Sequence, residues 1–389
     1  MKFLDISLGS ELNELKRFES LKQEERKIVF YSENKNSVFI FESLINELVN
    51  VHNYDICYVT SSRDEPLLKT SNKKIKTFYI GEGVARTKFF LNLQADILIM
   101  TMPDLEIFHI KRSKIYPVHY IYIFHAMVST HLVYRKNAFD HFDSILCVGA
   151  YQIDEIRSTE KFYNLKPKKL IPCGYSHLDD LIKKYTKRTD DIAKDKNQTQ
   201  ILLAPSWGKN GLFETIIEDL IKILLDSKYK IIFRPHPMTI KFSKKKILSI
   251  EKTFSSNPNF KLELDLPNFD SFLFSDVMIS DWSGVALEFA FAFEKPVLYI
   301  DVPKKIRNPD FKDIPQTPIE VSIREKIGKI ISPLEIEHIS TEIEMLKQKS
   351  SKIKKDIRNI REKEIFNIGN SEKKSAEYII ELLNQLQKN

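Results

Sequence analysis

Short runs rich in Val, Ile, Phe and Tyr alternate with helix-like segments along most of this chain, and that alternation restricts it to a parallel α/β architecture. The first series of strand candidates is Ile28–Ser32, Asp55–Thr60, Lys76–Gly81, Asp96–Thr101, His119–Phe124, Ser144–Val148 and Lys169–Cys173. From Lys183 to Thr199 the chain turns polar and charged, including Thr186-Lys187-Arg188-Thr189-Asp190-Asp191, as a linker does. A second series follows, with candidates at Gln200–Ala204, Lys230–Phe233, Lys261–Leu264, Val277–Ser280 and Pro296–Ile300. From about Val321 onward the chain reads as helical and heavily charged. Its last segment, Ser371 to Gln387, sets Ala376, Ile379, Ile380, Leu382, Leu383 and Leu386 along one side of a helix.

A chain of 389 residues exceeds one ordinary core and suits two. The expected fold is therefore α/β and GT-B-like, two Rossmann-like domains with a cleft between them. Residues 1–183 form the N-terminal, acceptor-side domain in this reading. Residues 184–199 are the linker, 200–345 the C-terminal, nucleotide-donor domain, and 346–389 a charged helical C-terminal region. Loops at the carboxyl ends of both sheets would build the site.

Composition removes several function classes. Glycine is scarce, at 10 residues, and neither GxGxxG nor GxxxxGK[ST] occurs. That argues against dinucleotide-dependent redox chemistry and against a P-loop NTPase. The net charge of +7 fits a lysine-rich solvated surface or attraction to a polyanion such as an anionic membrane face. No RNP, zinc-finger or helix-turn-helix pattern points to nucleic acid. Cys57, Cys147 and Cys173 are far apart in apolar runs, as buried thiols in a reducing cytoplasm would be. No acidic cluster has metal-binding spacing, so neither metal nor cofactor is expected. Acidic Asp5 comes too early for a signal peptide, and no apolar run approaches the ~20 residues of a membrane span. The expected location is cytoplasmic, with Leu12–Leu21 and Ser371–Gln387 as segments able either to dock on anionic lipid at the inner face of the cell membrane or to pack on the protein.

Chemistry concentrates after the strands. Phe233-Arg234-Pro235-His236-Pro237 ends one strand candidate with a permanently charged fork and a near-neutral base, stiffened by two prolines. Ser280-Asp281-Trp282-Ser283-Gly284 ends another and opens an apolar helix in which Glu288 is the one carboxylate, in need of a partner. A cationic strand end beside a helix opening describes a pocket for a phosphate or diphosphate. Ser206 and Trp207, after the first strand of the second series, are placed to contact a base or phosphate. In the first half, His125 ends the run Tyr120-Ile121-Tyr122-Ile123-Phe124. That position suits a general base toward a hydroxyl and equally a histidine bonded within the fold. His131 and His141 read as helix-surface residues.

The order of His125, Gly174 and Asp179, Pro205-Ser206-Trp207, Arg234-Pro235-His236-Pro237, Ser280-Asp281-Trp282-Ser283 and Lys295-Pro296 resembles the CDP-glycerol glycerophosphotransferase family, which includes teichoic-acid primases and polymerases and capsule polymer transferases. The resemblance spans roughly residues 118 to 302. It implies a GT-B transferase that moves a polyol phosphate, glycerol phosphate above all, from a CDP-activated donor to a hydroxyl of a lipid-linked cell-surface or capsular polymer. It assigns His125 as the catalytic base, and the donor diphosphate to Arg234, His236, Ser280, Asp281 and Ser283, with Glu288 at the acidic position of the following helix. From the residues themselves, His236 can also protonate a leaving group, and Gly284 can offer its backbone N–H to the diphosphate. The family's usual His-Gly-Thr-Pro reads His125-Ala126-Met127-Val128 here. A GT-B glycosyltransferase using a CMP- or UDP-sugar, and a non-catalytic nucleotide-binding subunit of a polymer-synthesis complex, are the competing readings.

Overall fold

The computed structural model describes residues 2–188, 198–264 and 269–388, so that most of the expected linker, residues 189–197, lies outside the described residues. The chain builds two wholly parallel sheets. The first contains β1 (Ile28–Ser32), β2 (Ile56–Thr60), β3 (Ile75–Tyr79), β4 (Ile97–Met100), β5 (His119–Ile123), β6 (Ser144–Cys147) and β7 (Lys169–Pro172), in the order β3-β2-β1-β4-β5-β6-β7. The second contains β8 (Gln200–Leu203), β9 (Lys230–Phe233), β10 (Phe260–Leu262), β11 (Val277–Ser280), β12 (Val297–Ile300) and β13 (Gly328–Ile331), in the order β10-β9-β8-β11-β12-β13. Strand order reverses between β1 and β4 and again between β8 and β11, and such switch points open the crevices where α/β proteins bind ligands.

Every strand candidate forms, with ends moved by a residue or two. Their continuous apolar runs follow from helices covering both faces, which leave β1, β2, β4, β6, β8, β11 and β12 buried throughout. β13 corrects the expectation of an all-helical remainder after Val321. Gly328-Lys329-Ile330-Ile331 is a short edge strand with Lys329 exposed, so it lacks the apolar run that marks a central strand. Among the described residues it pairs with β12 alone, and a Cβ at Gly328 would lie 1.7 Å from the Val297 carbonyl oxygen.

The C-terminal helices tie the two halves together. Arg358 and Arg361 of the helix Ser350–Glu364 pair with Glu294, at 2.7 and 3.1 Å, where the helix Val285–Phe293 of the second half ends. The helix Ser371–Leu386 then returns to the first sheet, where Ala376, Ile379, Leu382 and Leu383 share a core with Ile28, Phe30, Ile121 and Leu146. Asp179 receives that helix by accepting the N–H groups of Gly369 and Ser371 at 2.7 and 3.0 Å. At the other terminus, Phe18 packs edge-on against Phe78 and Phe89 at 5.3 and 5.2 Å. Both segments that were candidates for lipid docking thus spend their apolar faces inside the protein. No described helix is long and apolar enough to cross a membrane. All three cysteines are buried and free.

Candidate active site

The loops after β8 and β11 are pinned by the residues expected to hold phosphate. Asp281 accepts the Ser206 N–H through Oδ1 at 2.7 Å and the Leu212 N–H through Oδ2 at 3.0 Å, while Ser280 Oγ donates to the Ala204 carbonyl at 2.7 Å. Ser280 and Asp281 are buried, so these contacts satisfy groups that would otherwise be costly. They hold the segment carrying Ser206 and Trp207 against the start of the helix Val285–Phe293. Ser283 and Gly284 remain half-buried at that helix opening, where their carbonyls accept the N–H groups of Ala286 and Leu287 at 3.1 Å each. The opening abuts the first domain: a Cβ on Gly284 would meet Val128 Cγ1 at 2.8 Å and Ala126 Cβ at 3.3 Å.

Arg234 is buried, with Nη1 donating to Glu263 Oε2 at 2.7 Å and its guanidinium 4.9 Å from the Phe272 ring centre. Glu263 also accepts from Ser271 Oγ at 2.6 Å. The arginine is therefore engaged in an ion pair beneath the site. His236 projects higher. It caps the short helix Pro237–Phe242, with Nδ1 accepting the Met238 N–H at 3.0 Å. In the neutral ring the proton then sits on Nε2. Burial, helped by the charges of Lys305 and His125, pushes the His236 pKa down to about 3. The Trp207 ring lies 6.1 Å away.

His125 stands two residues beyond β5. Its side chain meets water within the cleft, yet loss of bulk hydration lowers its pKa, and a hydrogen bond to the Thr101 backbone works the other way. A lowered pKa keeps the ring neutral near pH 7, and a neutral imidazole offers the unprotonated nitrogen a base requires. The Tyr175 hydroxyl lies 3.0 Å from the His125 carbonyl oxygen and 3.1 Å from Glu288 Oε1. Burial raises the Glu288 pKa to about 7. The Tyr175 hydroxyl is the donor toward both oxygens, so it links Glu288 to the His125 backbone, and the buried carboxyl finds the partner its apolar helix demanded.

Two residues were not anticipated. Lys305 Nζ stands 3.9 Å and Arg307 Cζ 5.2 Å from the ring centre of Trp207. The available signal was Lys304-Lys305-Ile306-Arg307, a cationic run soon after a strand, the same sign that marked Arg234 and His236. His131 also departs from expectation. It is buried rather than on a helix surface, with Nδ1 3.5 Å from Glu155 Oε2 and Nε2 3.1 Å from the Gln316 carbonyl oxygen. His125, His236, Trp207, Ser283 and Gly284 gather at the cleft, whereas Arg234, Ser280, Asp281 and Glu288 support it from within.

Solved structures share the fold. The wall teichoic acid polymerase TagF superposes with a TM-score of 0.63 at 17% identity, covering 100% of this chain and 97% of that one. UDP-GlcNAc 2-epimerase from Neisseria meningitidis gives a TM-score of 0.61 at 15% identity over 91% of this chain and 100% of the other. WaaG, a glycosyltransferase of lipopolysaccharide biosynthesis, gives 0.52 at 11% identity over 90% and 99%. At these identities the likeness establishes the fold, which is GT-B. No curated protein sequence matches the chain. Residues 14–305 match the family described as CDP-glycerol:poly(glycerophosphate) glycerophosphotransferase. A match over most of the chain, carrying the two strand-end motifs at the cleft, makes this protein a member of the CDP-glycerol:poly(glycerophosphate) glycerophosphotransferase family and an enzyme of the CDP-glycerol glycerophosphotransferase type.

Proposed function

We propose that the enzyme transfers glycerol phosphate from CDP-glycerol to a hydroxyl of a cell-surface or capsular polymer, with His125 as general base. The observation that carries this reading is the division of the cleft. His125 stands exposed just after β5 in the first domain, and the helix opening at Ser283–Gly284, with His236 and Trp207 on neighbouring loops, faces the same segment from the second. A solved TagF structure to which the chain is similar was soaked with CDPG, which agrees with the donor class.

In this mechanism the acceptor oxygen attacks the phosphorus that bears glycerol. A new P–O bond forms there, the P–O bond to CMP breaks, and the acceptor proton passes to His125. Charge builds on the departing CMP, where the Nε2–H of His236, the Ser283 hydroxyl and backbone N–H groups at Gly284 stabilise it. Ser206 and Trp207 border the nucleotide. Arg234, Ser280 and Asp281 hold these loops in place, and Glu288 orients the His125 segment through Tyr175. In this proposal protein groups meet the charge on the donor, and no divalent cation is assigned a role. The acceptor is lipid-linked in this proposal. The enzyme works in the cytoplasm at the inner membrane face, drawn by its net charge of +7 rather than by an apolar helix.

The test is release of CMP on incubation with CDP-glycerol, CDP-ribitol, and CMP- and UDP-sugars in the presence of a polymer acceptor. CMP release that depends on CDP-glycerol supports the proposal. Sugar transfer replaces it with a glycosyltransferase. Nucleotide binding without any turnover replaces it with a non-catalytic subunit.

A further inference from the structure

Lys305 and Arg307 ride on the chain leaving β12, at the same end of the sheet as the loops after β8, β9 and β11. Both cations lie against Trp207, at 3.9 and 5.2 Å from its ring centre, and Trp207 in turn lies 6.1 Å from His236. The loop is tied to the first domain, since Arg307 N–H donates to the Leu132 carbonyl at 3.0 Å and the Asp310 side chain accepts from Tyr163 Oη at 2.8 Å. Among the described residues neither cation forms a salt bridge, whereas Arg234, from the neighbouring strand β9, is paired with Glu263. Two cations held side by side in a cleft repel one another, and an aromatic face compensates only in part. A bound polyanion removes that repulsion.

Resting on the glycerophosphotransferase reading above, we propose that Lys305 and Arg307, held in place by Trp207, are the residues whose charge binds the diphosphate of the donor. The groups that face Lys305 are Arg307, His236 and Asp281, and Asp104 faces Arg307 from the first domain. Burial and the charge of Arg307 hold the Lys305 ammonium down to about 7. Near neutral pH an arriving diphosphate therefore draws a proton onto Lys305, and binding takes up protons from the buffer.

Calorimetry on the full chain, with CDP and CMP as probes, tests this. Lys305→Gln and Arg307→Gln are each expected to weaken CDP at least ~10-fold and CMP less, because CMP presents one phosphate to the pair. Lys304→Gln, which changes the same charge one residue away, is expected to leave CDP affinity unaltered. Lys305→Arg keeps the charge but cannot release it at neutral pH. It should bind CDP within ~3-fold of wild type while losing the Lys305 share of proton uptake, read from binding heats in buffers of unequal ionisation enthalpy. Unchanged CDP affinity in both glutamine variants, or an equal loss in Lys304→Gln, overturns the inference while leaving the proposed reaction intact if wild type releases CMP from CDP-glycerol. CDP binding that depends on both residues without such release overturns the reaction and sustains the site. No CDP binding by wild type sinks both.

Discussion

Gly284 and Val128 belong to different domains, yet a β-carbon on Gly284 would sit 2.8 Å from Val128 Cγ1. The helix Val285–Phe293 thus starts against the segment that carries His125, and the glycine at its opening is what lets the two walls of the cleft meet. Gly284→Ala is expected to lower turnover about tenfold by holding the walls apart, since small misplacements of reacting groups are costly. Adding Val128→Ala removes the clash and should restore most of the rate. Steady-state kinetics of the single and double variants decide, and a double variant as slow as the single one rejects the steric account.

His125→Ala should reduce turnover ~10²–10⁴-fold while CDP affinity stays near wild type, because in the proposed mechanism the histidine serves the acceptor. Its lowered pKa has a direction too. A base that loses its proton more readily keeps working at lower pH, so the acid limb of the kcat/KM profile should fall below the usual histidine range near 6.5. An acid limb above that value, or a variant impaired only in CDP binding, would falsify the assignment.

The pair of Arg234 and Glu263 is buried on both sides, with 2.7 Å between them. Arg234→Met leaves Glu263 charged among Phe272 and its neighbours, at a cost of about 3–5 kcal/mol. Arg234→Met/Glu263→Leu removes both charges and should recover most of that loss. Urea denaturation of the two variants measures it. A double variant no more stable than Arg234→Met would show that the arginine is stabilised chiefly by something other than this carboxylate.

Glu288 makes stability depend on pH. The native carboxyl keeps its proton up to about 7, against an ordinary value of 4.5, because burial disfavours its charge. Between these values the native state binds more protons than the unfolded chain, so this contribution is fully present below 4.5 and is lost as pH rises towards 7. The loss is on the order of a few kcal/mol. Glu288→Gln should flatten that part of the stability profile, as followed by denaturant midpoints from pH 4.5 to 8. An unchanged slope would mean that Glu65 and Glu320, also raised to about 7, account for it.

The fold was largely legible in local patterning. Both series of strands were readable because the strands of a doubly covered parallel sheet are apolar throughout, as Ile28–Ser32 and Val277–Ser280 are. β13 was not, because an edge strand with one neighbour has no such requirement. The motif residues were legible as a group, since strand ends are where a parallel sheet exposes chemistry. Their division of labour was not. Asp281 looks like a phosphate ligand in the chain and proves to spend both oxygens on the N–H groups of Ser206 and Leu212. His131 looks like a surface residue and is buried beside Glu155.

Residue order alone determined that this chain forms two parallel sheets, that its chemistry lies after β5, β8, β9 and β11, and that it carries the family's motif pair. Those properties follow from periodicity and spacing, which act within a few residues of each other. Only the tertiary structure decided which charges face the cleft. Arg234 meets Glu263 29 residues away, while Lys305 meets Trp207 at 3.9 Å across nearly a hundred residues. Whether a cation is neutralised from beneath or left facing the cleft depends on which distant group the packing brings to it, and no local pattern encodes that choice.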